Sequence, residues 1–261
     1  MVNSETLERF DQKVQELLWS ARKQTIELMN TPLKVDTKSS ANDLVTNVDR
    51  QNEQLIRKRL LEIDPSARIV GEEESFNHKI DPDLNGNVWI IDPIDGTLNF
   101  VKQRDHFAIM VALYCDGVPT LGYIMDVMNK RLYHAWRGHG AYVNKLRLKE
   151  PANSSLADSL IAINGWQLIK NHCHQQEIAQ QAAGLRMYGS AGIEIIHVLN
   201  GQLGGYTSRL KPWDIAAGMV IAEELGLLVK TIDDQPLNVL SSNTVLVATK
   251  KDCQDIWQIT K

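Results

Sequence analysis

Residues 89–100, with the sequence W-I-I-D-P-I-D-G-T-L-N-F, constrain the fold and the chemistry of this chain more than any other segment. Their apolar start predicts a buried strand that ends at Asp92, and α/β folds place their functional sites at the carboxyl ends of strands. Asp95 follows three residues later, and Gly96 allows a ligand to approach the backbone closely. A short helix that starts at Thr97 would offer free N–H groups to a phosphate. The segment therefore predicts a site for a metal ion and a phosphate.

A structural interpretation of the same acids is the alternative. On its own, D-x-x-D-G is equally typical of a turn after a strand, with Asp95 capping the helix that follows. The full string from 89 to 100 is more specific than that short pattern. A second acidic run, E-E-E at residues 72–74, is of a kind that usually lies in solvent. From it we assign only Glu72 to the site, with Glu73 behind it and Glu74 on the surface.

The first part of the chain shows helical periodicity followed by strand patterns. A first helix with Ser4 as its N-cap is predicted by apolar residues at three- and four-residue steps, namely Leu7, Phe10, Val14, Leu17, Leu18 and Ala21. Residues 30–48 predict turns or a hairpin, and a second helix is expected from about Asp49 to Ile63, before Pro65. Short apolar runs predict strands at 68–70 and 88–91 and a meander over Phe107–Tyr114, Pro119–Val127, Arg131–Trp136 and Ala141–Val143.

After about residue 150 strands and helices alternate. Helices are predicted at Ala191–Leu199 and Pro212–Leu225, each followed by a glycine, and lone strands at 160–163, 227–229 and 245–248. The chain is therefore expected to have two parts, an α+β part over 1–150 that carries most of the metal ligands and an α/β part over 151–261 that carries the late acid ligand and the residues on the substrate side.

Composition limits the partners and the compartment. The 261 residues are 43% apolar and 23% charged, with a formal charge of −4, so a disordered chain is excluded and nucleic acid is not an expected partner. Three widely spaced cysteines are typical of a reducing compartment. The longest apolar run, Phe107 to Cys115, is far shorter than the roughly 18 residues of a membrane span. We expect a cytoplasmic protein without a signal peptide or membrane segment.

Five motifs in order make the sequence resemble the inositol monophosphatase family of magnesium-dependent, lithium-sensitive phosphatases. They are Asp43–Asp49 (D-L-V-T-N-V-D), Gly71–Glu73 (G-E-E), Trp89–Phe100, Gly189–Ala191 (G-S-A) and Trp213–Asp214 (W-D). The third departs from the family at Leu98, where a second Thr is frequent. The resemblance covers essentially the whole chain. It implies a layered α/β/α/β/α sandwich of the sugar-phosphatase type, assembled as a homodimer.

The resemblance also implies the metal ligands. Glu72 and Asp92, with the main-chain carbonyl of Ile94, would hold a first Mg²⁺. Asp92, Asp95 and Asp214 would hold a second. All-oxygen ligation favours Mg²⁺ or Mn²⁺ over zinc, and a divalent cation would offset the repulsion between converging carboxylates. The sequence H-C-H at 172–174 has adjacent ligands without a second pair, and we assign no zinc to it.

The remaining catalytic roles are implied in the same way. Glu72 and Thr97 would orient the attacking water, with Asp49 hydrogen-bonded behind Thr97. The N–H groups of Gly96 and Thr97 would hold the phosphate. Lys38 would lie beside the phosphate and a weaker third metal site.

The substrate side carries a departure from the family. Gly189, Ser190 and Ala191 would contact the substrate, although Ser190 is also a typical helix cap. Inositol-specific relatives have a Glu seven residues before the late Asp, where this chain has Thr207. Two cations, Arg209 and Lys211, follow it and would favour a second anionic group on the substrate, unless both are solvated on a loop.

The sequence thus predicts a Mg²⁺-dependent phosphomonoesterase that acts on inositol 1-phosphate or a related small phosphomonoester through a metal-activated water. An NADP or nucleotide phosphatase and a fructose-1,6-bisphosphate phosphatase are the alternatives among enzymes. A regulatory binding protein on the same fold is the alternative without catalysis. Every predicted side-chain ligand of the metal is Asp or Glu, which favours the enzyme.

Overall fold

A computed structural model describes residues 2–38, 44–75 and 83–261 of the chain. The helices are α1 (Ser4–Met29), α2 (Asn47–Ile63), α3 (Glu72–Ser75), α4 (Thr97–Lys102), α5 (Gly165–Ile169), α6 (Gln175–Gln181), α7 (Ala191–Leu199), α8 (Pro212–Glu224) and α9 (Lys250–Thr260). Asp43 and the side chain of Glu74, both part of the predictions, lie outside the described residues.

The strands are β1 (Val35–Thr37), β2 (Leu44–Thr46), β3 (Arg68–Gly71), β4 (Asn87–Asp95), β5 (Ala108–Cys115), β6 (Val118–Asp126), β7 (Arg131–Trp136), β8 (Gly140–Val143), β9 (Leu146–Arg147), β10 (Leu160–Ile163), β11 (Gly184–Arg186), β12 (Gly205–Leu210), β13 (Leu228–Thr231) and β14 (Asn243–Ala248). Within the described residues, β1 and β2 form a small antiparallel hairpin, as the sequence predicts for this region.

Two larger sheets carry the architecture. The first has seven strands in the order β3-β4-β5-β6-β7-β8-β9, antiparallel except for the pair β3 and β4. The predicted meander forms its centre. The second has five strands in the order β11-β10-β12-β14-β13, with parallel pairs on both sides of β10. Helices cover both faces of each sheet, because each sheet has an apolar side chain pattern on both faces.

Three apolar cores fix the order of the layers. One face of the seven-stranded sheet packs on α1 and α2 through residues such as Phe10, Leu60 and Trp89. Its other face packs on α7 and α8, which also contact the five-stranded sheet. The outer face of the five-stranded sheet packs on α6 and α9. The layers are therefore helix, sheet, helix, sheet, helix, and the predicted fold class is confirmed.

The ends of the helices follow the local sequence with one correction. The side chain of Asn3, rather than that of Ser4, caps α1, because Asn3 Oδ1 accepts a hydrogen bond from Thr6 N at 2.8 Å. Helix α8 begins at Pro212 as predicted, where the missing N–H of proline has no helical partner to lose. Gly226 follows it with a φ of +71°, a conformation that favours glycine.

The seven-stranded sheet ends at Arg147 and the five-stranded sheet begins at Leu160. Helix α8 nevertheless packs against β4, β5, β6 and β7 of the first sheet. The division near residue 150 stays a prediction. None of the helices in residues 2–38, 44–75 and 83–261 has the length and apolar character needed to cross a bilayer.

Candidate active site

A β-bulge brings two acids of β4 to the same face. The register pairs Asp92 with Met110 and Asp95 with Ala108, so three steps along β4 match two along β5. Side chains alternate along a strand, and residues three apart normally point to opposite faces. The extra residue of the bulge restores a common direction for the two carboxylates. Ile94 N donates to Asp92 Oδ1 at 3.1 Å and fixes the first of them.

A third acid comes from the layer between the sheets. Asp214 lies in the first turn of α8, where its Oδ2 accepts a hydrogen bond from Lys211 N at 2.8 Å. Carboxylate oxygens of Asp92, Asp95 and Asp214 lie within 4.8 Å of one another, and we call these residues the carboxylate cluster. In the described part of the chain it is the one group of three or more potential ligands at such spacing, and His172–His174 forms none.

The carboxylate cluster is electrostatically unfavourable without a cation. Burial, reinforced by the charge of Glu72, raises the pKa of Asp214 to about 8 and that of Asp92 well above its usual range. Burial raises the pKa of Asp95 to about 6, although hydrogen bonds from Ser190, Gly192 and Ala191 oppose the increase. A hard divalent cation with oxygen ligands would remove this repulsion, so the donor set fits Mg²⁺.

Glu72 lies beside this cluster and forms an ion pair of its own. Lys38 Nζ is 3.0 Å from Glu72 Oε1 and 2.6 Å from Glu73 Oε1, with only 4% of the lysine side chain exposed. Burial of Lys38 disfavours its charged form, but the two glutamates outweigh that effect and raise its pKa. Burial raises the pKa of Glu73 to about 7. Lys38 is therefore placed against the acids of α3.

Thr97 and Asp49 are joined directly. Thr97 Oγ1 lies 2.8 Å from Asp49 Oδ1 and 3.0 Å from the carbonyl oxygen of Ile94, and these two oxygens are the acceptors available to its single hydroxyl proton. Asp49 is fully buried, and its Oδ2 accepts hydrogen bonds from the backbone and the hydroxyl of Thr46 at 2.9 and 2.5 Å. Burial raises the pKa of Asp49 despite these bonds. The arrangement holds the Thr97 hydroxyl in one orientation.

The start of α7 packs against the end of β4. Asp95 accepts hydrogen bonds from the hydroxyl of Ser190 and from the backbone N–H groups of Ala191 and Gly192, the latter two at 3.0 and 2.8 Å. Gly96 adopts a φ of +88°, and a Cβ on it would lie 2.8 Å from Ser190 Cβ. Only glycine satisfies both conditions, so the sequence G-T after Asp95 permits the contact between the two layers.

A cavity of about 420 Å³ opens beside these residues. It extends from Asp95 and Asp214 past the start of α7 to β12, and its other lining residues include Ser190, Glu194, Ser208 and Arg209. Larger cavities lie between α1 and α2 and between α6 and α9, away from the carboxylate cluster. Gly189, Ser190 and Ala191, the predicted substrate contacts on α7 and before it, line this cavity.

Thr207 is a correction to the predicted substrate residues. Residues 205–210 form a strand rather than a loop, and Thr207 is fully buried with its Oγ1 3.2 Å from Gln175 Nε2, on the side of α6. Because side chains alternate, Tyr206 and Ser208 line the cavity instead. Arg209 lies beyond Ile163, the last residue of β10, and is exposed at the rim.

Two further side chains that line the cavity, Asn99 and Glu194, were also given no role from the sequence. Asn99 Nδ2 donates to the carbonyl oxygens of Tyr188 and His106 at 2.6 and 2.9 Å. Glu194 Oε1 accepts a hydrogen bond from Tyr188 N at 2.6 Å. Together they hold the segment before α7. For Glu194 the sequence offered one indication, an acid in the first turn of a predicted helix, and acids are too common there to indicate a functional role.

Residues 4–261 match the sequence profile of the inositol monophosphatase family. The chain belongs to this family. The "Inositol-1-monophosphatase" of Bacillus subtilis (strain 168) is 39% identical over 235 residues, covering 88% of each protein. The "Nus factor SuhB" of Pasteurella multocida (strain Pm70) is 34% identical over 200 residues, covering 74% of this chain and 73% of that protein.

A solved structure gives the same assignment at the level of the fold. The crystal structure titled "IMPase/NADP phosphatase complexed with Mg2+ and phosphate" superposes with a TM-score of 0.89 at 30% identity, covering 97% of this chain and 95% of that one. As an inositol monophosphatase family member the chain is a Mg²⁺-dependent phosphoric monoester hydrolase, and the predictions of family and enzyme class are confirmed. The residue roles remain predictions.

Proposed function

We propose that this enzyme hydrolyses inositol 1-phosphate and, at least as well, phosphomonoesters that bear a second anionic group, such as NADP or fructose 1,6-bisphosphate. The observation that carries the proposal is the position of the carboxylate cluster at one end of a cavity whose rim exposes Arg209. The names of the B. subtilis relative and of the solved IMPase/NADP phosphatase support the two substrate types.

Thr97 is suited to orient the attacking water. Its one hydroxyl proton faces the acceptors Asp49 Oδ1 and the carbonyl of Ile94, so its oxygen lone pairs remain for a water. Asp49 cannot turn away, because Thr46 holds its other oxygen. Glu72, paired with Lys38, is the second group we propose for positioning that water.

The carboxylate cluster and its neighbours would hold the metal and the phosphate. We propose Glu72, Asp92 and the Ile94 carbonyl for one ion, with Asp92, Asp95 and Asp214 for the other. When bound, Mg²⁺ supplies Lewis-acid stabilisation of charge and lowers the pKa of water. The N–H groups of Gly96 and Thr97 would contact the phosphate oxygens. Lys38 pairs with Glu72 and Glu73 beside them, where a weaker third ion could bind.

Arg209 is the residue that we propose for the second anionic group. It is exposed at the rim, and within the described residues no ion pair occupies its guanidinium. Lys211, the other nearby cation, has its Nζ 5.4 Å from the ring centre of Trp213 and is engaged there. A guanidinium can bind a phosphate with two parallel hydrogen bonds.

The test compares kcat/KM for inositol 1-phosphate, NADP and fructose 1,6-bisphosphate in the presence of Mg²⁺. Arg209→Ala should lower the values for NADP and the bisphosphate selectively, whereas the same change at the exposed Arg131 should leave all three unchanged. The proposal fails if inositol 1-phosphate is preferred more than about tenfold, or if Arg209→Ala lowers all three values equally.

We also propose that the enzyme is a cytoplasmic homodimer. Its three cysteines, all within the described residues, are free thiols, as expected in a reducing compartment. Trp166, Ile169 and Met187 are exposed by 63%, 70% and 55%, and a Cβ on Gly165 would lie 3.0 Å from Met187 Sδ. Such an apolar surface is typical of a protein interface.

Light scattering coupled to size exclusion tests the dimer. The wild-type chain of 29.4 kDa should elute at twice that mass, and Trp166→Ser combined with Ile169→Ser should shift it toward the monomer. The substitution Leu146→Ser, at an equally exposed side chain on β9, is the matched control. A wild-type monomer at micromolar concentration would contradict this part of the proposal.

A further inference from the structure

Glu194 is a buried carboxylate in the cavity that the proposed catalytic roles do not use. It lies on α7 with 3% of its surface exposed, and it lines the same cavity as Asp95 and Asp214. Its two oxygens differ. Oε1 accepts hydrogen bonds from Tyr188 N at 2.6 Å and Gly189 N at 3.3 Å. Oε2 is buried and has no hydrogen-bond partner among the described residues.

This difference fixes the direction of the free oxygen. The two backbone donors hold the carboxylate by Oε1, so the side chain cannot rotate to bring Oε2 to another partner without breaking them. A buried carboxylate oxygen without a partner is destabilising, and native proteins retain few of them without a functional reason. Glu194 lines the cavity, so the cavity is the side from which a partner would approach this oxygen.

The surroundings select the chemistry of that partner. A second phosphate is disfavoured at this oxygen, because an ionised carboxylate has only acceptors and offers a phosphate no donor. Glu194 is also not among the three acids whose oxygens lie within 4.8 Å of one another. A hydroxyl group suits the site, since it can donate to a carboxylate and remains neutral.

We propose that Glu194 is a specificity-determining residue whose Oε2 accepts a hydrogen bond from a hydroxyl of the substrate's alcohol portion. The proposal rests on the proposed phosphomonoesterase function. It divides the cavity into a hydroxyl-binding side at α7 and an anion-binding side at Arg209. The enzyme would then select polyol and ribose phosphates over esters of alcohols without further hydroxyl groups.

Cyclohexyl phosphate is the matched probe, because it has the ring of inositol 1-phosphate and none of its free hydroxyls. The wild type should have a kcat/KM for inositol 1-phosphate at least about tenfold above that for cyclohexyl phosphate. In Glu194→Gln the amide oxygen would keep the contacts with Tyr188 and Gly189, and an NH₂ group would replace Oε2. The preference should fall about tenfold, with the rate on cyclohexyl phosphate retained.

Glu224→Gln is the control. Glu224 also binds two backbone N–H groups, those of Gly138 and Gly140 at 2.6 and 2.7 Å, and it does not line the cavity. Its substitution should leave the preference unchanged. Glu194→Ala is the second variant, and it should remove the preference even though it also releases the segment before α7.

Three results would overturn the inference. They are a wild type without preference between the two esters, an equal loss on both esters in Glu194→Gln, and an unchanged preference in both Glu194 variants. An equal loss would mean that Glu194 only positions the segment before α7. Failure of the proposed function is distinct, because the wild type would then hydrolyse neither ester at a rate that depends on Mg²⁺.

Discussion

The hydroxyl of Thr97 donates a hydrogen bond to Oδ1 of Asp49 over 2.8 Å, although the two residues are 48 positions apart in the sequence. Asp49 belongs to the first turn of α2, in the outer helical layer, and Thr97 begins α4 at the end of β4. The contact therefore joins the outer helices to the site, and it can be tested without disturbing the carboxylate cluster.

Removal of the Thr97 hydroxyl should reduce turnover more than it reduces stability. Thr97→Val keeps the shape of the side chain and loses the donor, so we expect kcat for inositol 1-phosphate to fall at least about 100-fold, in the range typical of a lost proton-handling group. Thr97→Ser should retain activity within about tenfold. Thr120→Val, at a buried threonine of β6, is the control and should keep kcat. Wild-type kcat in Thr97→Val would contradict the assignment.

Neutralising any acid of the carboxylate cluster should abolish activity. The effect on the stability of the metal-free protein should depend on which acid is replaced. Asp92→Asn, Asp95→Asn and Asp214→Asn should each leave less than about a tenth of the wild-type rate, a loss above about 1.4 kcal/mol in the barrier. Without metal, Asp92→Asn and Asp214→Asn should raise the free energy of unfolding, because burial and neighbouring acids raise the pKa of both groups. Urea titrations in chelator measure this.

Asp95→Asn should instead destabilise the metal-free protein. Both oxygens of Asp95 accept hydrogen bonds from the start of α7, and the amide NH₂ of Asn would face a backbone donor in place of one of them. The same urea titrations provide the comparison. Equal stabilisation by all three substitutions would show that repulsion alone determines the stability of the site.

The Lys38 ion pair should contribute far more than an exposed one. Lys38→Met leaves Glu72 and Glu73 without their buried partner, and we expect a loss of about 3–5 kcal/mol in the free energy of unfolding. Lys13→Met breaks a pair with Glu16 whose side chains are 55% and 67% exposed, and it should cost at most about 1 kcal/mol. Added Mg²⁺ should restore part of the first loss. Similar losses in both variants would contradict the prediction.

Asp252 should make part of the stability depend on pH. It is fully buried at the start of α9, and burial raises its pKa to about 6, against about 3.9 for an unfolded chain. The folded state therefore binds the proton more tightly, and this contribution to stability is lost as pH rises through 6. Relative to the wild type, Asp252→Asn should gain about 2 kcal/mol between pH 4.5 and 7.5. A difference that is equal at both pH values would contradict it.

Activity should require Mg²⁺ and should be inhibited by millimolar Li⁺. A monovalent ion at the carboxylate cluster would leave the repulsion between its acids only partly offset and would stabilise developing charge less well. Phosphate release with Mg²⁺, with excess chelator and with added LiCl measures both effects. Full activity in chelator would overturn the metal mechanism.

The sequence was most informative where local chemistry decides the structure. The order of apolar run, Asp92, Asp95 and Gly96 predicts a strand and then a residue with positive φ, and the structure has both. The predicted strand end at Asp92 was wrong, because β4 continues through a bulge to Asp95. Helix α8 was equally clear, since Pro212 begins it. In both segments the residue types allow only a narrow range of backbone conformations.

The sequence was least informative where burial in the folded protein decides the structure. Strand β12 contains the polar residues Thr207, Ser208 and Arg209, and no strand was predicted for them. In the structure Thr207 is buried against Gln175, and the strand pairs with β14. Tertiary hydrogen bonds made the polar strand stable. The buried position of Glu194 could not be predicted for the same reason. Its unpaired oxygen depends on how α7 packs on the seven-stranded sheet, and the local sequence does not determine that packing.

The carboxylate cluster draws Asp92 and Asp95 from β4 and Asp214 from α8, so its ligands belong to different layers. An ion bound there would be thermodynamically linked to the docking of the middle helices on the seven-stranded sheet. Amide hydrogen exchange should then slow on addition of Mg²⁺ mainly in α7 and α8. The exchange rates of α6 and α9, on the outer face of the five-stranded sheet, should remain unchanged. The same carboxylates that bind the catalytic ion would make the stability of the contact between the layers depend on the Mg²⁺ concentration.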